Sequence, residues 1–199
     1  MHISEGILSG GMLITGWAGS CAGLAIGLKK TDMNKITRTA LLSSGFFLAS
    51  LVNIKLGPSS THLSLLAPMG LILGWGVFPA VFIALLLQAL LFHFGGLLVL
   101  GANNFIMSIS SLIIYILFGR LIRDSSNKIL VTTLAFISGA LAVIIAAFLV
   151  GLFLTLSDSN FINAAKLIVI AHVPLALIEG LVTSFIIAWL KKSAPEFLS

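Results

Sequence analysis

The sequence predicts an all-α integral membrane protein of about seven transmembrane helices, with its amino terminus outside and its carboxy terminus in the cytoplasm. Three observations carry this. Hydrophobic residues make up 59% of the 199 residues, charged residues only 9%, and the mean hydropathy is +1.18, values beyond those of a domain that must keep a wetted surface. Several apolar runs approach the roughly 20 residues with which an α-helix crosses about 30 Å of hydrocarbon, and the alternating strands of a barrel are absent. The cations are unevenly placed. With helices at 7–28, 39–54, 62–74, 78–94, 103–121, 129–154 and 165–190, Lys29, Lys30, Lys35, Arg38, Arg120, Arg123, Lys128, Lys191 and Lys192 fall on one side of the bilayer, and only Lys55 and Lys166 on the other. The cation-rich side is the cytoplasmic one. The net charge of +5 is thus an orientation signal, and a nucleic-acid role is excluded. Residues 1–199 read as one transmembrane domain.

Each element has its own justification. The opening MHISEG has no basic n-region and carries Glu5, so it is expected to stay on the mature protein and not to be removed as a signal peptide. Retention of Met1 is expected too, because His2 is too bulky for the usual removal of the initiator. The first helix carries Gly11, Thr15, Gly19, Gly23 and Gly27 in four-residue steps, a stripe that lets another helix approach closely; another span of the same chain is the expected partner. Cys21, the single cysteine, is expected to have an inert packing role. The third helix is too short to cross unaided and is surrounded by Pro58, Pro68, Gly70, Gly74, Gly76 and Pro79, so it is expected to be tilted or buried among its neighbours. Gln88, Asn103 and Asn104 are expected to bond between helices. The seventh span holds His172 and, seven residues on and about the same face, Glu179 near mid-bilayer, where ionisable groups are costly and usually functional.

The amino terminus is the most informative site. The α-amine of Met1, the backbone nitrogen of His2 and His2 Nδ1 can close fused five- and six-membered rings on one metal ion. The amine, with a pKa of about 7.7 to 8.0, yields its proton far more readily than a lysine. Deprotonating the peptide nitrogen as well favours a metal that rewards in-plane nitrogens, Ni(II) or Cu(II) before Co(II) or Zn(II). One planar position stays open. The predicted topology brings His2, His62, His93 and His172 all to the outer half. His62 follows the turn and cap sequence Gly57, Pro58, Ser60, Thr61, which places it in the first turn of the third helix at the outer surface, within reach of the amino terminus. There the positive helix end opposes a cation by roughly 0.3 to 1 kcal/mol, far less than nitrogen coordination returns; the alternative is an interfacial histidine bonded to a nearby backbone group. Glu5, His172 and Glu179 are candidates to support the site or the ion's passage. His93 has the weakest case.

Four stretches resemble the cobalt/nickel-specific substrate-binding (S) components of energy-coupling factor transporters, the CbiM and NikM family: the opening MHISEG, GPSSTHLSLLAPMGLILGWGVFPAVFIALLLQALLFHFGG, LGANNFIM and AHVPLALIEGLVTSFI. The resemblance covers nearly the whole chain. It implies that Met1, His2 and His62 bind the metal in a plane. The segment GPSSTHLSLLAPMGLILGW looks more like the nickel branch, since cobalt members more often place Gly-Ser-Ser-His-Pro around this histidine; nickel is favoured and cobalt stays open. The resemblance further implies a subunit of an ATP-driven importer in a prokaryotic plasma membrane, working with a transmembrane (T) component, two ATPase subunits and a small accessory membrane subunit. That accessory subunit is expected to be a separate chain here. No organic cofactor is implied.

The chain has no G-x-x-x-x-G-K-[ST] phosphate loop, so ATP hydrolysis is expected from partners, and no catalytic residue is assigned. Two rival readings were weighed. An intramembrane serine protease needs a Ser and His on facing helices with an oxyanion site, and no Gly-x-Ser-Gly element occurs. A stand-alone divalent-metal carrier or exporter usually lines the bilayer centre with carboxylates, and only Glu179 is available.

Overall fold

The computed structural model describes residues 2–31, 36–51, 54–56 and 59–198. Met1, Lys35, Gly57 and Pro58, which figure in the sequence analysis, lie outside the described residues. The regular structure is helical apart from one small hairpin. Helix α1 spans Gly10–Lys30 and α2 Ile36–Ala49; strands β1 (Ile54–Leu56) and β2 (Ser59–Thr61) follow; then come α3 (Leu66–Leu73), α4 (Val77–Phe92), α5 (Leu100–Ile114), α6 (Arg120–Asp124), α7 (Lys128–Ser157), α8 (Ile162–Ala171) and α9 (Val173–Ser193). Among the described residues five segments are long and apolar enough to cross a membrane, Gly10–Lys30, Leu66–Phe92, Leu100–Asp124, Lys128–Ser157 and Ser159–Ser193, and α2 is a shorter apolar helix. The membrane class predicted from composition holds.

The hairpin departs from expectation. The second helix ends at Ala49 and not at 54, and the third begins at Leu66 and not at 62. Between them β1 and β2 pair antiparallel, with Ile54 opposite Thr61 and Leu56 opposite Ser59. The sequence explains why: Gly57-Pro58 is a turn dipeptide, and proline disfavours the α conformation in the residue before it.

By length alone Leu66–Phe92 is one apolar stretch, but Gly74 divides it. Gly74 closes α3 with φ 53°, and a 3-10 turn over Gly74–Gly76 leads into α4. The neighbours of each glycine give the directions. Gly16 lies against Ala102 and Gly19 against Phe105, so α1 and α5 run parallel; Gly23 faces Phe78 and Gly27 faces Trp75, so α1 and α4 run antiparallel. Gly70 abuts Ser111 and Gly74 abuts Tyr115, which aligns α3 with α5. Helices α3 and α4 therefore run in opposite directions. With eight residues α3 is only about 12 Å long, and Leu66 to Ile72 are all buried. It is the short third helix enclosed by its neighbours, as its length requires.

The glycine stripe of α1 does pack within the chain. A Cβ at Gly19, Gly23 or Gly27 would come within 2.5, 2.1 and 2.6 Å of Phe105, Phe78 and the Trp75 carbonyl, although Gly11 meets nothing within 4 Å. Cys21 differs from expectation: it lies exposed on α1 and is not packed. Helix α7 is started by Asn127, whose side chain accepts from the amides of Ile129 and Leu130. The α8–α9 segment is broken at His172, just before Pro174, where the missing N–H interrupts the ladder. Among the described residues, Lys29, Lys30, Arg38, Arg123, Lys128, Lys191 and Lys192 gather at one end of the bundle, tied by Lys191 Nζ donating to the Arg123 and Ser125 carbonyls and by Arg38 donating to the Glu196 carbonyl. The histidine site lies toward the other end.

Gly70→Ala should destabilise the protein by about 1 to 3 kcal/mol, as overpacking does, because the new Cβ would sit 2.1 Å from the Ser111 carbonyl oxygen. Gly45→Ala, which meets nothing within 4 Å, should be neutral or slightly stabilising. Thermal melts in detergent check both; equal melting temperatures for the two variants would contradict the packing described.

Candidate metal centre

The amino-terminal segment is drawn into the bundle by main-chain contacts that imitate a strand. Asn103, in the first turn of α5, accepts from the Ile3 amide at 2.9 Å and donates to the Ile3 carbonyl at 3.0 Å. One side-chain amide thus satisfies both polar groups of a residue that is fully buried. Two residues on, the Glu5 amide donates to the Gly95 carbonyl, and Glu5 Oε1 accepts from the Leu98 amide at 2.8 Å. Gly96, at φ 133°, permits this approach: a Cβ there would lie 2.3 Å from the Glu5 carboxyl carbon.

This clasp places His2 inside the protein, 3% exposed. His62 is equally buried, and the two imidazoles face one another with centroids 4.7 Å apart and planes 27° apart. Phe46 closes the other side of His62, edge to face at 5.9 Å. His62 does not occupy the first turn of α3. It lies four residues before Leu66, in the irregular segment that follows β2, so the unfavourable helix dipole considered for it falls away.

The geometry sets the tautomer of His62. Its Nδ1 lies 2.9 Å from the Leu63 carbonyl, which can only accept, so Nδ1 carries the proton and Nε2 keeps its lone pair. Nε2 is buried and has no hydrogen-bond partner among the described residues. An imidazole with one nitrogen fixed to a carbonyl and the other bare has a lone pair free for a metal, an arrangement that His172 shares. The backbone bond named as the alternative to ligation is thus present and compatible with it. Burial holds the His62 imidazole well below its ordinary value. Burial does the same to His2, against a hydrogen bond with Gln88 that works in the other direction. Both rings stay neutral near pH 7, as donors to a metal must.

The remaining candidates separate. His172 is fully buried at the α8–α9 break, its Nδ1 donating to the Ile168 carbonyl at 2.7 Å. Glu179 is buried and accepts from the Ser64 amide, from Ser64 Oγ at 2.7 Å and from the Leu65 amide. Glu5 braces the amino-terminal segment from an exposed position. His93 ends α4 at φ 55° and is exposed. Among the described residues no three His, Cys, Asp or Glu side chains form a metal-binding group. The Asn103 clasp and the role of Ser64 and Leu65 were not anticipated. The sequence marks Asn103 only as an interhelical bonding residue, its one signal being its place in LGANNFIM; Ser64 and Leu65 have no local signal.

A bundle of membrane-length apolar helices with two buried imidazoles face to face defines a membrane protein with a polar site near one end, and the comparisons give its class. Residues 2–197 match the family model described as the cobalt uptake substrate-specific transmembrane region, and the chain belongs to that family, CbiM. It is 34% identical to a putative metal transport protein of Haemophilus influenzae, over all of this chain and 97% of that one. It is 33% identical to the cobalt transport protein CbiM of Kyrpidia tusciae, over all of this chain and 86% of that one. Among solved structures, that of a transition metal transporter superposes with a TM-score of 0.85 at 26% identity, over 96% of this chain and 93% of its own.

The metal-free protein should lose stability as the pH falls below about 6.5. An unfolded histidine takes its proton near that value, whereas buried His2 and His62 resist until lower pH. In that window the unfolded chain binds more protons, so stability falls with falling pH and is fully present above it. Melts between pH 7.5 and 5 with a chelator present measure this. His62→Gln should flatten the slope, and a variant as steep as the parent would refute the assignment.

Proposed function

We propose that this chain is the metal-capturing, substrate-specific subunit of an ATP-driven energy-coupling factor importer, with Ni(II) as its cargo and Co(II) as the alternative. The observation that carries the reading is the buried, face-to-face pair of His2 and His62. In this reading the Met1 amine, the His2 amide nitrogen and His2 Nδ1 form fused chelate rings, and His62 Nε2 takes the fourth planar position. Four nitrogens in a plane suit Ni(II). The deprotonated His2 amide is the one anionic donor this set needs, and no carboxylate or thiolate enters it.

The rest of the proposal follows from that capture role. The amino terminus faces outward and the cation-rich end faces the cytoplasm of a prokaryotic cell, so the ion is taken from outside. Residues 1–199 act as one domain, and a transmembrane partner, two ATPases and a small accessory membrane subunit supply the energy and complete the transporter. Growth of a nickel-dependent strain with and without the ATPase subunits separates such an importer from a stand-alone carrier, which would need none.

Metal analysis of the purified subunit with a native amino terminus should give one Ni(II) per chain, yellow to orange and diamagnetic. A paramagnetic octahedral spectrum would contradict the nitrogen plane. Extra residues before Met1 should abolish binding although His2 and His62 remain, and His62→Ala should weaken it severely, whereas His93→Ala should leave it nearly intact. Equilibrium nickel titration of the four proteins reads all of this. Tight binding by the extended protein would exclude the chelate.

A further inference from the structure

Glu179 sits on α9, far from His62 in sequence, yet the two are joined through a single peptide unit. The plane between Leu63 and Ser64 presents its carbonyl to His62 Nδ1 at 2.9 Å and its N–H to Glu179 Oε1. A trans peptide points those two groups in opposite directions and is stiff about its C–N bond, so fixing one side fixes the other. Glu179 grips the loop at further points, through Ser64 Oγ at 2.7 Å and the Leu65 amide at 3.1 and 3.2 Å to its two oxygens. The grip is needed, because Leu65 is held at φ 50°, a conformation disfavoured for a side chain of its kind.

The carboxylate is itself rigidly placed. A Cβ at Gly139 would come within 2.4 Å of the Glu179 carbonyl oxygen, and one at Gly180 within 2.9 Å of Phe136. Helices α7 and α9 therefore meet backbone to backbone at this level, which fixes the depth and rotation of Glu179. From there the order of control runs outward: α7–α9 contact, carboxylate, Leu63–Ser64 peptide, His62 Nδ1–H, bare Nε2.

We propose that Glu179 is a positioning residue for metal binding: acting through the Leu63–Ser64 peptide, it fixes the tautomer and aim of His62 without touching the ion. This rests on the reading that His62 is a ligand. Carboxylates are commonly found bonded to ligating imidazoles directly, where their loss costs about 10- to 100-fold in metal affinity; here a peptide unit stands between the two. A residue that only passed the ion inward would leave the binding step unchanged.

Full-length protein with 15N-labelled histidine reports the tautomer in the metal-free state, and nickel titration reports affinity. Wild type should show His62 protonated at Nδ1. Glu179→Gln, which removes the charge that the Ser64 and Leu65 donors face and sets an N–H₂ where Oε2 accepts from the Leu65 amide, should mix the tautomers, lower nickel affinity about 10- to 100-fold and shift the visible d-d band. Glu179→Asp should recover part of each. Unchanged affinity, band and tautomer in Glu179→Gln would overturn the proposal. So would wild-type His62 protonated at Nε2, a result that stands even if the variant does not fold. His62→Ala serves as the control. If it binds nickel like wild type the ligand reading itself fails, whereas its loss of binding beside an unaffected Glu179→Gln sinks only the positioning role.

Discussion

Non-helical backbone inside an apolar bundle must have every N–H and C=O satisfied by the protein, since no hydrocarbon chain will do it. The rest of this structure follows from that constraint. Two segments, the one before α1 and the loop before α3, lie outside regular structure and enter the bundle, and each is met by a polar side chain on an adjacent helix. Asn103 serves both main-chain groups of Ile3, and Glu179 serves the amides of Ser64 and Leu65. An unpaired amide there would cost on the order of 1 to 3 kcal/mol. Placing His2 and His62 in the interior thus requires an asparagine and a glutamate that bond the main chain beside them.

The same constraint explains the glycines. Segments can be admitted between helices only if the helices elsewhere pack almost backbone to backbone, and the contacts of Gly16 with Ala102, Gly70 with Ser111 and Gly139 with Glu179 do so. Association of helices in lipid gains from close packing, because lipid tails leave little hydrophobic driving force. Small residues on α1, α3 and α7 hold the bundle tight, and the irregular segments occupy the region that this leaves around α5 and α9. Helix α3, about 12 Å long, ends at Gly74, where the chain turns back before it would have crossed.

Much of this was legible in the sequence, and what was not has a physical reason. The membrane class came from composition, and the pairing of His2 with His62 came from chelate chemistry and topology. The positions of α1, α4, α5 and α7 followed from apolar runs bounded by cations or caps. The hairpin was missed because three-residue strands carry no periodicity, although Gly57-Pro58 announced a turn. His62 was placed in a helix because Ser60 and Thr61 are good caps; the tertiary bonds of Glu179 to Ser64 and Leu65 delay the helix to Leu66 instead. No local pattern encodes that choice, since its partners are 115 and 114 residues apart.

That separation bears on how capture is linked to the rest of the molecule. The carboxylate that organises the loop of His62 stands on α9, whose far end carries Lys191 and Lys192 and is tied through Lys191 to the Arg123 and Ser125 carbonyls at the end of α6. A rigid helix packed against α7 along its length moves as a unit, and any rotation or tilt of α9 must carry Glu179 with it. The Leu63–Ser64 peptide would then turn, and with it the imidazole. The site at one end of the bundle and the cation-rich end at the other are thus joined by one continuous helix, and the bond between Glu179 and Ser64 is where a movement of that helix would first be felt by His62.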